Sequence, residues 1–430
     1  MAPAWRRRPS ARQPSRRYSG KSDRHVRSRH GTDAGWRPGH RLLIDAAASI
    51  PSRGRLSTAS PLITFVVLGL PAGALGVAWP SMRSSFAAPL AGLGLILAGI
   101  TVAYFLGSAS FGPLSARLNG GLLLAAGCCL AGLGMLAFSV AFWWWVVPLL
   151  GILVGAGSGL IDASVNTQVS LSRGIRYMGW LHAAWAVGAA LGPLLVVTSI
   201  AMTGSWRMAF AAAGIGFIGC GLLAGYQRVE WTTIPSNSAS ASQPAAPASY
   251  RSATALIAVM FLLGAGLEAT TGDWSYTQLT LARGVASAAA SAGASLFWAG
   301  LAGGRIALGT LGHRVAPSRL LDISVGACAV VALAFWLTPG AIANFVVLPL
   351  LGLAVSLIFP LLLSMTPGRV GAAMTGHTVG YGLAVGTLGG GAIPALAGLV
   401  LQGIGLGTLG PMLTGMAGAL LLIHWVNRQP

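Results

Sequence analysis

Apolar residues fill the chain from residue 58 onward in long runs broken by short polar joints. The extreme case lies at the end, where the fifty-eight residues from Val370 through Asn427 carry no Asp, Glu, Lys or Arg. No water-soluble domain leaves such a length without charge. A bilayer core about 30 Å thick takes roughly 20 apolar residues per helix, so this stretch predicts two spans joined by a tight turn. Splitting the remaining runs at Pro, Gly and Arg predicts twelve spans in all, at 61–80, 88–112, 120–139, 143–166, 178–203, 208–226, 253–275, 286–311, 320–338, 341–364, 373–400 and 405–427. The expected fold is an all-α polytopic membrane protein.

One long polar connection interrupts the series. Residues 228–252, rich in Ser, Ala and Pro with Arg228 and Arg251 at their ends, read as a flexible linker. The expected organisation is a basic extension over 1–57, a first six-helix bundle over 58–227, the linker, and a second six-helix bundle over 253–430. Residues 1–57 have no hydrophobic periodicity and no apolar segment placed as in a signal peptide, so they are expected to be disordered. Such a tail could anchor on anionic lipid or bind nucleic acid, or be a passive cytoplasmic extension. The passive reading is adopted, and no nucleic acid is expected as a partner.

Composition supports the membrane reading: 54% of residues are hydrophobic, 8% are charged, and the 61 glycines suit close helix packing in lipid. The formal charge of +19 is misleading until divided. Residues 1–57 hold 14 Lys or Arg against three Asp, which leaves 13 against five for the membrane body. An orientation with both termini in the cytoplasm places Arg117, Arg173, Arg176, Arg228, Arg251, Arg314, Arg319, Arg369 and Arg428 inside, and only Arg83, Arg207 and Arg283 outside. That is the bias of the positive-inside rule. The expected location is a cell membrane, a bacterial plasma membrane above all. The cysteines Cys128, Cys129, Cys220 and Cys328 lie within apolar runs without a CxxC spacing and are read as packing residues.

The two halves echo one another. Gly112, Leu114 and Arg117 recur as Gly309, Leu311 and Arg314; Pro148-Leu149-Leu150-Gly151 recurs as Pro349-Leu350-Leu351-Gly352; Pro193 recurs as Pro394. A nearly constant offset across a central linker points to duplication of a six-helix unit, a common transporter design.

From Gly112 to Arg117 the chain resembles the Gly-x-Leu-x-Asp-Arg loop signature of the major facilitator superfamily, and the resemblance extends over nearly all of 58–428. Ala116 replaces the usual acid and His313 replaces it in the second copy, which puts the charge-relay role of that position in doubt. Gly112, Arg117, Gly309 and Arg314 are the matching gating-loop positions. Gly159-Leu160-Ile161-Asp162 with Asn166, Leu181-His182, Gly192-Pro193-Leu194 and Gly266-Leu267-Glu268 resemble the fucose-permease-like branch. The resemblance implies two pseudo-symmetric bundles rocking about a central cavity, with sugar uptake as one option.

An ionisable group at membrane depth costs at least about 2.5–3.5 kcal/mol on insertion scales, so each one is a functional candidate. Asp162 lies well inside span four, with Asn166 one turn further on the same face. Glu268 sits in span seven, giving one carboxylate to each half. Removal from water favours the neutral form of a carboxylate, which ties protonation to access and suits proton coupling. Helix packing is the alternative role for both. Asp273 is expected to be a solvated cap, His424 to be interfacial, and His182 and His377 to be cavity or packing histidines. Arg305 could counter Glu268, bind an anionic substrate, or snorkel to the cytoplasmic face.

Trp143, Trp144 and Trp145 stand where an interfacial belt is expected, while Trp180, Trp185, Trp274 and Trp298 offer stacking faces. Gly69, Pro71, Gly73 and Gly76 in span one and Gly264, Gly266 and Gly272 in span seven predict paired helix breaks, a pointer to a midplane site, or close helix approach. No GxxxxGK[ST], HExxH or GxSxG motif is present, so an ATP-driven pump or hydrolase lacks its machinery. The expected protein is a transporter rather than an enzyme, needing no cofactor, with a small-molecule substrate, protons and the lipid bilayer as partners, and a monomer. Sugar uptake and export of hydrophobic drugs both fit, and a receptor or scaffold that kept the fold without transport is the alternative.

Overall fold

Deprived of water, backbone N–H and C=O groups must pair within their own segment, and these apolar runs do so as helices. The computed structural model describes residues 59–173, 175–231, 248–311 and 314–426, and among them helices and short turns account for all regular structure. The extension 1–57 and most of the linker fall outside the described residues. The helices are α1 (Ala59–Phe86), α2 (Gly92–Ser115), α3 (Gly120–Val140), α4 (Val146–Ser172), α5 (Ile175–Thr203) and α6 (Arg207–Tyr226). After the linker come α7 (Ala248–Leu281), α8 (Ser287–Leu311), α9 (Pro317–Leu337), α10 (Leu348–Val355), α11 (Ile358–Gly403) and α12 (Leu409–Val426). Eleven helical stretches among the described residues are long and apolar enough to cross a membrane. The twelfth crossing expected from the sequence is α8, 25 residues long but diluted by Ser, Ala, Gly and Arg305.

The protein is a multi-pass membrane protein, and its packing repeats the sequence repeat. In the first half α1 packs on α5, α2 on α4, α3 on α4 and α6. In the second half α7 packs on α11, α8 on α10, and α9 on α10 and α12, the same pairs advanced by six helices. The matched prolines occupy matched seams: Pro193 of α5 lies against Gly73 of α1, and the Pro394 carbonyl of α11 accepts a 2.8 Å hydrogen bond from the Trp274 indole of α7. The halves meet through α1 with α7, α2 with α11, and α5 with α8.

Two expectations about span boundaries change. Helical pairing runs unbroken from Ile358 to Gly403, 46 residues, through the expected joint between spans ten and eleven. Ile358 lies against Gly264 and Thr378 is bonded to Thr254. Twenty residues of straight helix cover about 30 Å, twice the roughly 15 Å between 254 and 264 along α7, so α11 bends back rather than stopping. The predicted breaks in spans one and seven are also absent, since α1 and α7 are continuous. Their glycines serve close approach instead: a Cβ on Gly69 or Gly73 would run into the backbone of Trp185 or Ala189 on α5.

The expected tryptophan belt divides. Trp143 and Trp145 are 76% and 72% exposed and face outward, whereas Trp144 is 9% exposed and packs on Trp79, with ring centroids 5.7 Å apart.

Candidate functional site

A cavity of about 1080 Å³ lies between the two halves. It reaches the end of the bundle that carries the linker, where Met178, Gly179, Gly309 and Pro317 line it. At the opposite end the halves are in contact. Gly94 of α2 sits against Ala395 of α11, Gly76 of α1 against the backbone of Asp273 of α7, and the Gln402 side chain accepts a 2.7 Å hydrogen bond from Ala91 N. The cavity is thus open toward one end and closed at the other.

Its wall is mainly apolar and aromatic, with Phe65, Tyr104, Trp185, Phe261, Trp298 and Phe359 among the lining residues. The ionisable lining residues are Asp162, His182, Glu268, Asp273 and Arg305. They come from α4, α5, α7 and α8, so both halves contribute.

Asp162 is held from two sides. The Asn166 amide donates to Oδ1 at 2.9 Å, and also to the Asp162 carbonyl at 3.0 Å, as expected of residues one turn apart. The Tyr104 hydroxyl of α2 donates to the same carboxylate. Asn166 orients the acid from behind and is not itself on the cavity wall. Tyr104 escaped sequence reasoning, although a tyrosine in mid-span, far from either interface, was a signal that its hydroxyl needed a partner.

Glu268 is paired with Arg305. Nη2 of Arg305 lies 3.1 Å from Oε2 and 3.3 Å from Oε1, and the two side chains are only 14% and 16% exposed. Of the roles open to Arg305, the structure shows the countering of Glu268 and not a reach to the membrane surface. The guanidinium also lies 5.8 Å from the Trp185 ring centroid, and Trp185 meets Trp298 edge to face at 5.6 Å. His182 packs edge to face on Phe65 at 6.0 Å.

Other expected residues fall elsewhere. Trp274 is fully buried between α7 and α11, with its indole spent on Pro394, and offers no stacking face. The side chain of His377 lies outside the described residues. Arg117 and Arg314 are exposed at the linker end, and neither has an ion pair among the described residues; Ala116 offers no carboxylate at the first loop. Gly112 has open space around it, whereas Gly309 lines the cavity mouth. Two further assignments are corrected. His424 is buried and its Nε2 lies 2.8 Å from Asp322 Oδ1, so it ties α12 to α9 rather than facing the interface. Asp273 is 7% exposed and lines the cavity, so it is no solvated cap.

A family model described as Major Facilitator Superfamily matches residues 62–394. Among curated proteins, Bypass of stop codon protein 6 of Saccharomyces cerevisiae is 25% identical over 414 residues, covering 86% of this chain and 82% of that protein. Among solved structures, a mutant of the nucleoside transporter NupG superposes with a TM-score of 0.70 at 14% identity, over 86% of this chain and 99% of that one. The peptide transporter POT in complex with sulfate gives 0.66 at 15% identity, over 89% and 96%. A bacterial homologue of the human lysosomal transporter Spinster, in an inward-facing and occupied conformation, gives 0.63 at 14% identity, over 91% and 94%. At these identities the structures show a common fold.

Proposed function

The chain belongs to the Major Facilitator Superfamily, and from that premise we propose that it is a secondary active transporter moving a small organic solute by alternating access, with protons as the coupling ion. The observation that carries the reading is the cavity itself, walled by both halves, open toward the linker end and closed at the other by α1 against α7 and α2 against α11. Its volume of about 1080 Å³ accommodates a solute of drug, nucleoside or short-peptide size. Solutes of the kinds named for the nucleoside and peptide transporters above are therefore reasonable first ligands.

Asp162 and Glu268 are the proposed coupling acids. Each belongs to a different half and each is held by polar neighbours inside an apolar wall, Asp162 by Tyr104 and Asn166, Glu268 by Arg305. Taking up a proton would release Arg305 from Glu268 or Tyr104 from Asp162. Rocking of the halves changes the water around both acids, and hence the cost of their charge. The positive-inside bias supports placing both termini and the open end of the cavity on the cytoplasmic side, in a cell membrane. The six-helix units 58–227 and 253–430, joined by 228–252, would be the moving bodies. A monomer suffices for this mechanism, because one chain supplies both walls.

The fucose-permease-like motifs keep a sugar among the candidate substrates, and the apolar wall favours one with an apolar body. No observation favours a receptor or scaffold without transport. Solute counterflow in proteoliposomes tests the reading without any driving gradient. Vesicles preloaded with substrate should accumulate labelled substrate, and empty protein-free vesicles should not. An absence of counterflow across sugars, nucleosides, dipeptides and lipophilic cations, by protein that remains folded, would remove the transporter assignment.

A further inference from the structure

Asp273 differs from the other acids of the cavity in having no partner. Glu268 is neutralised by Arg305, and Asp162 receives the Tyr104 hydroxyl and the Asn166 amide. For Asp273 no hydrogen-bond donor and no cation is found among the described residues, although its side chain is more than nine-tenths buried and lines the cavity. The elements packed around it offer no charge at its level. Gly76 of α1 lies against its backbone, Trp298 of α8 against Gly272 beside it, and Gly398 of α11 against Trp274 on its other side. Two guanidiniums stand about two helical turns away among the described residues: Arg305, counted from Trp298 along α8 and occupied by Glu268, and Arg83, counted from Gly76 along α1 and donating to the Ala88 carbonyl.

A buried carboxylate without a partner is costly, and a ligand that brings a cation removes the cost. The charge of the wall points the same way. Asp162, Glu268 and Asp273 against Arg305 leave two carboxylates in excess when all are ionised, and in that state the cavity attracts cations and repels anions. Against Gly272, beside Asp273, the Trp298 indole has an Nε1 without a partner among the described residues, and its ring lines the cavity together with the apolar Pro71, Ala72 and Leu75 of α1. An aromatic face beside an anion suits a cation that carries apolar groups.

We propose that Asp273 and Trp298 form the seat for the charged centre of a lipophilic organic cation, so that this substrate class enters from the linker end and binds against the closed end of the cavity. The proposal rests on the transport reading and specifies its substrate. It also places the ligand at the crossing of α1 and α7, where Gly76 touches Asp273, the contact that must part for the closed end to open. Occupancy there is positioned to bear on the gate.

The test is equilibrium binding of tetraphenylphosphonium to the purified full chain in lipid nanodiscs, beside neutral triphenylphosphine oxide and anionic tetraphenylborate. The cation should bind more tightly than either comparison probe. Asp273→Asn should weaken the cation by about tenfold or more and leave the neutral probe unchanged; Asp273→Glu should restore much of the cation affinity. Glu230→Gln, which alters an acid outside the cavity, should bind as wild type does. Elution profile and thermal transition establish that each variant is folded. The proposal is overturned if the folded protein does not bind the cation, if Asp273→Asn binds it as wild type does, or if the neutral or anionic probe binds equally well. It is overturned in favour of an inorganic ion if sodium alone stabilises wild type but not Asp273→Asn while the phosphonium has no effect. Counterflow of a different solute by a preparation that ignores the phosphonium would sink the cation seat and leave the transporter reading standing.

Discussion

Arg305 of α8 reaches Glu268 of α7 with one guanidinium nitrogen, 3.1 Å from Oε2 and 3.3 Å from Oε1, inside an apolar wall. Because both groups are largely withdrawn from water, each depends on the other. Arg305→Gln leaves an unpaired carboxylate and should destabilise the protein by about 3 kcal/mol or more. The double change with Glu268→Gln should recover most of that loss. Thermal unfolding of the three variants checks it, and additive losses would mean the pair contributes nothing as a pair.

Asp162 has two donors that an amide can also satisfy in part, the Asn166 amide at 2.9 Å and the Tyr104 hydroxyl. Asp162→Asn should therefore fold with a transition close to that of wild type while losing proton-coupled uptake by about tenfold or more, the usual lower range for removing a positioned proton-transfer group. A parallel loss of folding and uptake would assign Asp162 to packing. Tyr104→Phe removes one donor and should weaken coupling less than Asp162→Asn does.

Gly73 and Gly188 bring α1 and α5 into backbone contact, Gly73 against Ala189 and Gly188 against Val66. A leucine at either position forces the helices apart. The expected cost is about 1–3 kcal/mol or more, from overpacking, and it should appear as lower yield and a lower thermal transition. Gly303, with nothing near its missing side chain, should accept alanine with little change.

At the closed end the Ala91 amide donates to Gln402 across α2 and α11 at 2.7 Å. Gln402→Ala removes that tie and should shift the population toward opening at this end. A cysteine at Leu75, in a background lacking the four native cysteines, should then react faster with an impermeant maleimide applied from that side. Unchanged labelling would show that the remaining contacts, Gly94 on Ala395 and Gly76 on Asp273, hold the gate alone.

Much of this architecture was legible in the sequence. Runs such as 370–427, empty of charge, leave no alternative to the membrane, and the repeated Pro148 and Pro349 segments pointed to a duplicated unit, though which helices pair, α2 with α4 and α8 with α10, came from the structure. What the sequence could not supply was contact between distant residues. Nothing in spacing tells that Arg305 meets Glu268, that Tyr104 meets Asp162, or that His424 meets Asp322, because each pair is joined only when helices far apart in the chain pack. Asp273 was misread for the same reason: its place near the end of α7 suggested solvent, while α1 packs against its backbone and α8 and α11 against its neighbours Gly272 and Trp274. The glycines of α1 and α7 were ambiguous between a broken helix and a close contact, and only the backbone of α5 pressed against Gly69 and Gly73 decides.

The most direct test of the central claim is proton movement in proteoliposomes of the purified protein, followed with an entrapped pH-sensitive dye while sugars, nucleosides and lipophilic cations are added in turn. The account predicts a substrate-dependent proton flux in wild type that is lost in Asp162→Asn while that variant remains folded. Substrate uptake with no accompanying proton flux, or a flux that Asp162→Asn leaves intact, would contradict it.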